Sequence, residues 1–250
     1  MALVWVITGA SRGLGLGMVA ALLEQEGTIV VAAARNPDKA EALQKLAERY
    51  SGRVHTVVLD TSDEASVKAA AATVEKHFSD GVDFLINMAG VADSNFVSAL
   101  QTEGSEYLRV LKVNTVGSFL VTQAFYPLLK KGNTRTVVNV SSRGGSITNH
   151  RAGGPISGKI VAYTSSKAAL NMQTAVLAGA LKDDGFIVVS TCPGWVDTDM
   201  GTRSDFDMPG IKPDLTVEES TKRHLALIAK LTKDDSGKYF SAANDKEIPY

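Results

Sequence analysis

The chain alternates between two kinds of segment. Short runs rich in apolar and branched residues, continuous at 3–7, occupy 3–7, 28–34, 54–59, 82–86, 136–140 and 186–191. Each has the length and composition of a strand buried on both faces. Between them lie longer mixed stretches that read as helices over 14–26, from after Pro37 through Tyr50, 61–78, 105–130, 163–181 and 216–231. Gly27 closes the first of these, and Thr61 with Glu64 three residues later has the form of a capping box for the third. A last apolar run at 238–241 predicts an edge strand. Strands alternating with helices at this rhythm predict an α/β fold, a parallel sheet with helices on both faces. No internal repeat, low-complexity run or linker divides the chain, so one domain spanning 1–250 is expected.

Composition narrows the function classes. With 44% apolar and 21% charged residues, a net charge of −1 and a pI near 6.4, the chain lacks the basic character of a nucleic-acid or anionic-membrane binder. A single cysteine, Cys192, excludes an internal disulfide and suits a reducing compartment; beside Pro193 at a strand end it reads as buried packing rather than a reactive thiol. The four histidines, His55, His77, His150 and His224, have no metal-like spacing, so no metal is predicted. The apolar start is too short, and lacks the basic lead, for a signal peptide or a membrane span. A cytoplasmic protein is expected.

Candidate chemistry gathers at two places. Tyr163 and Lys167 stand four apart, on one face of a predicted helix. A nearby ammonium favours the phenolate, which predicts a tyrosine pKa below about 10 and a usable acid/base group. The same spacing also occurs on ordinary helix faces, so the pair needs support. It comes from Thr8, Gly9, Ala10, Ser11, Arg12, Gly13, Leu14 and Gly15, a glycine-rich turn between the first strand and the first helix. There, free backbone N–H groups and the helix dipole suit a phosphate, unless the glycines serve only a tight turn. The spacing is neither that of the common dinucleotide fingerprint nor that of a Walker loop. The second strand ends in Ala34 and Arg35, with Arg12 in the turn and no carboxylate at that corner. Two guanidiniums there favour a 2′-phosphate, hence NADP(H), unless they are solvated surface.

With these residues the chain resembles the short-chain dehydrogenase/reductase family along nearly its whole length, and a Rossmann-type doubly wound sheet is implied. The glycine turn matches that family's cofactor loop. Asn87, Met88, Ala89 and Gly90 match its Asn-Asn-Ala-Gly stretch except at Met88. Asn114 falls on the active-site asparagine, Ser142 on the catalytic serine, and Tyr163 and Lys167 on the tyrosine and lysine. Pro193, Gly194, Trp195, Val196 and Thr198 match the segment bordering the nicotinamide. The resemblance implies cofactor contacts at Gly9, Ser11, Arg12, Gly13, Leu14, Gly15, Arg35, Asp60 (near the adenine), Thr61, Asn87, Ala89, Gly90, Val113, Tyr163, Lys167, Pro193, Gly194, Val196 and Thr198. Short strings at 34–39, at 192–200 and at the closing Ile248, Pro249 and Tyr250 are similar to carbonyl reductases of the sniffer and C-factor type.

The chemistry so implied is hydride transfer from NADPH to the carbonyl carbon of a small molecule. Ser142 and Tyr163 donate to the carbonyl oxygen, and Tyr163 passes it a proton. Lys167 lowers the tyrosine pKa, and Asn114 positions a water that resupplies the proton. A secondary-alcohol dehydrogenase and a non-catalytic NADP(H)-binding redox-signalling protein are the alternatives. In relatives the segment at 199–215 is a mobile lid over the substrate. Trp195, Met200, Phe206 and Met208 border or occupy it, and their apolar character suits a hydrophobic or aromatic carbonyl, or packing of the lid itself. Arg143 faces either an anionic substrate or solvent. Ser142 and Tyr163 are 21 positions apart, more than is common in the family. The surplus at 149–158, rich in glycine, reads as a loop at the pocket rim. It shapes substrate choice, fills surface, or alters the helix pair by which many relatives dimerise; a homodimer is the expectation.

Overall fold

The structure, a computed structural model, describes residues 2–154, 156–202 and 212–250. In chain order its elements are β1 (Leu3–Thr8), α1 (Gly13–Leu23), β2 (Thr28–Ala34), α2 (Glu41–Arg49), β3 (Val54–Val58), α3 (Glu64–His77) and β4 (Phe84–Asn87). There follow α4 (Gly104–Leu111), α5 (Gly117–Lys131), β5 (Thr136–Val140), α6 (Ile147–Arg151), α7 (Val161–Ala180), β6 (Ile187–Cys192), α8 (Val217–Ile228) and β7 (Tyr239–Ser241). The strands form one seven-stranded sheet in the order β3-β2-β1-β4-β5-β6-β7, every pairing parallel. This is the parallel sheet expected from the alternation, in the Rossmann-type order that the resemblance implies.

Burial on both faces explains why the strand runs are mostly apolar. Along β1, Trp5 and Ile7 point into one core with Met18 and Leu22 of α1 and Leu225 and Ile228 of α8. Val4 and Val6 point into the other, with Val67 and Val74 of α3 and Val121 and Phe125 of α5. Each buried side chain of this size stabilises the fold by about 1.5–3 kcal/mol relative to exposure. Trp5 also stacks on Phe84 of β4, ring centroids 3.7 Å apart.

Four details depart from the sequence expectations. The cap of α3 is Asp63, whose side chain accepts from the Ala65 N–H at 3.0 Å; Thr61 instead lies buried, its carbonyl oxygen 2.5 Å from where a Cβ on Gly117 would stand. The first helix stops at Leu23, and Gly27 turns the chain into β2 with φ +70°. The helix expected over 105–130 is two α segments joined by a π turn, Lys112–Val116. The surplus at 149–158 is not wholly loop, since α6 covers its first residues. Phe206, Met208 and most of the 199–215 lid lie outside the described residues.

Candidate active site

Strand order reverses between β3-β2-β1 and β4-β5-β6, so the chain leaves β1 and β4 in opposite directions and a crevice opens at their carboxyl ends. Apart from Phe206, which lies outside the described residues, the predicted site residues lie on or after strand ends at that crevice, or on a helix beside it.

The glycine turn forms its near wall. Gly9 has φ +71°, and a Cβ there would lie 2.9 Å from the Ala89 Cα; a Cβ on Gly15 would lie 2.2 Å from the Gly9 carbonyl oxygen. The turn is therefore closed so tightly that only hydrogen fits. Arg12 precedes α1 in extended conformation; no side chain caps the helix and no acid stands in its first turn. Its first N–H groups and positive dipole end thus lie open to an anion. Thr8 Oγ1 accepts from the Met88 and Ala89 N–H groups, both at 3.0 Å, tying this turn to the exit of β4.

Arg12 and Arg35 are exposed, as a phosphate site requires, but Arg12 Nη1 already pairs with Asp199 Oδ2 at 2.9 Å. With both side chains mostly exposed, that pair is worth at most about 1 kcal/mol and yields readily to a competing anion. Asp60 Oδ1 accepts from the Ser62 N–H at 2.8 Å and hydroxyl at 2.7 Å. Burial raises its pKa, but the Ser62 bonds and the charges of Arg35 and Lys112 outweigh it and hold the carboxyl below its usual range.

The Asn87 side chain does not face the crevice. It is buried and donates to Thr122 Oγ1 at 3.0 Å and to Asn139 Oδ1 at 2.9 Å, so it anchors β4 to α5 and β5. Only its backbone borders the site, with Ala89 and Gly90. A Cβ on Gly90 would stand 3.4 Å from Asn114 Oδ1 and 3.6 Å from Lys167 Nζ, so glycine keeps the space between those two groups clear. Asn114, in the π turn beside half-buried Val113, accepts from the Val91 N–H and donates to the Val91 carbonyl, both at 2.8 Å, and to Ser166 Oγ at 2.9 Å. The extra residue of the π turn lets Asn114 face inward while α4 and α5 continue on the same axis.

Ser142 leaves β5 extended, and its Oγ accepts from the Gly144 N–H at 3.2 Å. On α7, Lys167 Nζ lies 5.7 Å from the centre of the Tyr163 ring and donates to the Val140 carbonyl at 2.8 Å. The expectation that the ammonium lowers the phenol pKa is overturned. Burial pushes Tyr163 up to about 12, the Ser142 hydroxyl acting against the rise. Burial also brings Lys167 down to about 8. Desolvation of each group exceeds what either does for the other.

The far wall begins at Pro193 and Gly194. Thr198 reaches the glycine turn, its Cγ2 3.6 Å from where a Cβ on Gly13 would be. Buried Val196 pairs with Leu215 in an isolated bridge, which brings together the chain on either side of 199–214. Trp195 Nε1 donates to the Gly201 carbonyl at 2.9 Å, so its polar edge is engaged by the following turn, and Met200 is exposed. Cys192 is buried, its Sγ accepting from the Arg143 N–H at 3.2 Å, a packing position; Arg143 itself points outward.

One residue at the site has no counterpart in the sequence reading. Asp93, buried in the segment after β4, accepts from the Tyr163 N–H at 2.8 Å and the Ala162 N–H at 3.3 Å. A cap drawn from some 70 positions away leaves no local signal, because capping motifs are recognised next to the helix they serve. Among the described residues no cluster of three or more His, Cys, Asp or Glu could hold a metal, and no helix is long and apolar enough to cross a membrane.

Comparison with known proteins places this geometry. A family model described as short chain dehydrogenase matches residues 3–208. An uncharacterized oxidoreductase of Schizosaccharomyces pombe is 34% identical over 256 residues, covering 99% of this chain and 98% of its own. Among solved structures, NADPH-bound carbonyl reductase from chicken fatty liver superposes with TM-score 0.89 at 33% identity, both chains covered in full. Carbonyl reductase Sniffer of D. melanogaster superposes with TM-score 0.88 at 31% identity, again over the whole of both chains.

Proposed function

The chain belongs to the short-chain dehydrogenase family, and from that premise we propose that it is an NADPH-dependent carbonyl reductase acting on a hydrophobic or aromatic ketone or aldehyde. The observation that carries this reading is the placement of Tyr163 beside the Ser142 hydroxyl and one turn from buried Lys167, whose Nζ lies 5.7 Å from the centre of its ring. A phenol protonated at neutral pH can donate its proton to a carbonyl oxygen.

The residues fit the nucleotide. The uncapped N-terminus of α1 and the side-chain-free faces of Gly9 and Gly15 accept a pyrophosphate, and exposed Arg12 and Arg35 accept a 2′-phosphate. NADPH, when bound, supplies the hydride. Ser142 Oγ and the Tyr163 hydroxyl orient the substrate carbonyl and stabilise the negative charge that develops on its oxygen. Tyr163 then releases its proton to that oxygen. Lys167, whose Nζ lies 5.7 Å from the centre of this ring, stabilises the resulting phenolate. The space beside Gly90, flanked by Asn114 Oδ1 and Lys167 Nζ, suits a water that returns the proton from solvent. Trp195 and Met200 give the rim its apolar character. The two carbonyl reductases of similar structure support a carbonyl substrate, and the chicken enzyme, solved with NADPH, supports the cofactor.

The test is cofactor consumption by the purified protein over a panel of aldehydes, ketones and diketones, with NADPH against NADH. Turnover is expected with NADPH well above NADH, and Tyr163→Phe is expected to lose about 100-fold or more of kcat while still binding NADPH. Turnover retained in Tyr163→Phe removes the proton-donor role. Preference for NADH removes the reading of the two arginines.

A further inference from the structure

The segment after β4 is tied to three parts of the site. Val91 is held at both backbone groups by Asn114, and the Ala92 carbonyl accepts from Arg109 Nη2 at 2.8 Å. Asp93, 1% exposed, then reaches the first turn of α7, Oδ1 accepting from the Tyr163 N–H at 2.8 Å and Oδ2 from the Ala162 N–H at 3.3 Å. The opening N–H groups of a helix have no partner within it. The residue before α7 offers no cap either: Ile160 is apolar, buried and β-branched, yet sits in the left-handed region at φ 45°, a strained position for such a residue. The helix that carries Tyr163 and Lys167 therefore starts from a strained turn and is anchored from outside its own neighbourhood. Further along the same segment, the Ala99 N–H donates to the Gly158 carbonyl at 2.8 Å and Lys159 Nζ lies 4.5 Å over the Phe96 ring.

We infer that Asp93 is a positioning residue for the proposed proton donor: by holding the backbone N–H of Tyr163 itself, it sets where the phenol stands relative to Ser142. It acts through the helix backbone, without touching substrate or cofactor, and the inference rests on Tyr163 being the donor. A carboxylate at a helix N-terminus also complements the dipole, which favours this anchor over a neutral one.

The test compares Asp93→Ala and Asp93→Asn with wild type and Tyr163→Phe, reading steady-state kinetics with NADPH and hydrogen exchange over 161–165. Asp93→Ala is expected to lower kcat by about 10- to 100-fold, the scale of an ångström-sized misplacement. Its KM for NADPH should stay within about twofold, since the nucleotide turn is untouched. Exchange should quicken over 161–165 and not over 9–15. Asp93→Asn keeps one oxygen acceptor and should recover most of the loss, retaining a deficit of about 3- to 10-fold; should the alanine variant fail to fold, it carries the same comparison. Exchange over 161–165 unchanged from wild type overturns the inference, active or not. So does faster exchange with wild-type kcat, or equal losses in kcat and NADPH affinity. An inactive wild type, indistinguishable from Tyr163→Phe on every carbonyl, overturns the donor assignment and with it the positioning role, while the exchange data still show whether Asp93 anchors the helix.

Discussion

Replacing Gly15 with alanine places a methyl carbon 2.2 Å from the Gly9 carbonyl oxygen and 2.8 Å from its carbon. Non-bonded contacts of this kind relax only beyond about 3.5 Å, so the two strands of the turn must part by about 1 Å. Both sides of the clash are backbone, and no rotamer relieves it. Overpacking of this order costs about 1–3 kcal/mol. In a chain of 250 residues that lowers Tm by about 2–12 °C. The same displacement disturbs the N–H groups at the start of α1, so cofactor binding suffers along with stability. At NADPH one hundred times its Kd, wild type should gain about 2.7 kcal/mol, or about 5–11 °C in a thermal melt. Gly15→Ala should keep less than half of that shift at the same concentration. Gly179, exposed in the last turn of α7 with nothing within 4 Å of a Cβ, is the control. Gly179→Ala should gain about 0.5–1 kcal/mol from helix propensity and keep the full NADPH shift. A Gly15→Ala protein that melts with wild type and shows the full shift would refute the reasoning, because the turn would then have slack.

Three further outcomes follow from the site and the core around it. His224 is buried with Nε2 2.6 Å from Thr191 Oγ1, and burial holds its pKa at about 4. The unfolded chain takes up that proton first, near pH 6.5, so stability is lost as pH falls from about 6.5 to 4, by about 3 kcal/mol in all. Urea unfolding from pH 7 to 4 should show this slope in wild type and a shallower one in His224→Leu; parallel curves reject it. Arg12→Gln and Arg35→Gln should each weaken NADPH about tenfold, a charge-assisted bond discounted for exposure, and leave NADH unchanged. Equal losses for both nucleotides count against a 2′-phosphate contact. Lys167, with a pKa of about 8, should make kcat/KM for NADPH fall above pH 8 as the ammonium is lost, and Lys167→Met should remove that limb. A profile level to pH 10 would show that the charge is not used.

Much of this protein was legible in the order of its residues. Strands such as β2 and β5 occupy the very runs the apolar pattern marked, because a strand covered on both faces is apolar at most of its positions. Gly9 and Gly15 were marked for the same kind of reason: a turn that brings backbone against backbone excludes any Cβ whatever surrounds it. The four-residue step from Tyr163 to Lys167 puts both on one helix face in any fold. Other features were left to packing in three dimensions. Asp63 caps α3 while Thr61 is drawn inward against Gly117, a choice made by the neighbouring helix and not by the local motif. Asn87 reads as a cofactor contact in a linear motif; that its side chain bonds Thr122 of α5 and Asn139 of β5, leaving its backbone to border the site, is settled by what packs on each face of the sheet. The phenol of Tyr163 moved opposite to the expected direction since its pKa depends on how much water the assembled walls exclude. Asp93 reaches Tyr163 across some 70 residues of chain. Short-range sterics and periodicity are written into adjacent residues; desolvation and contacts between remote segments exist only once the chain has closed on itself.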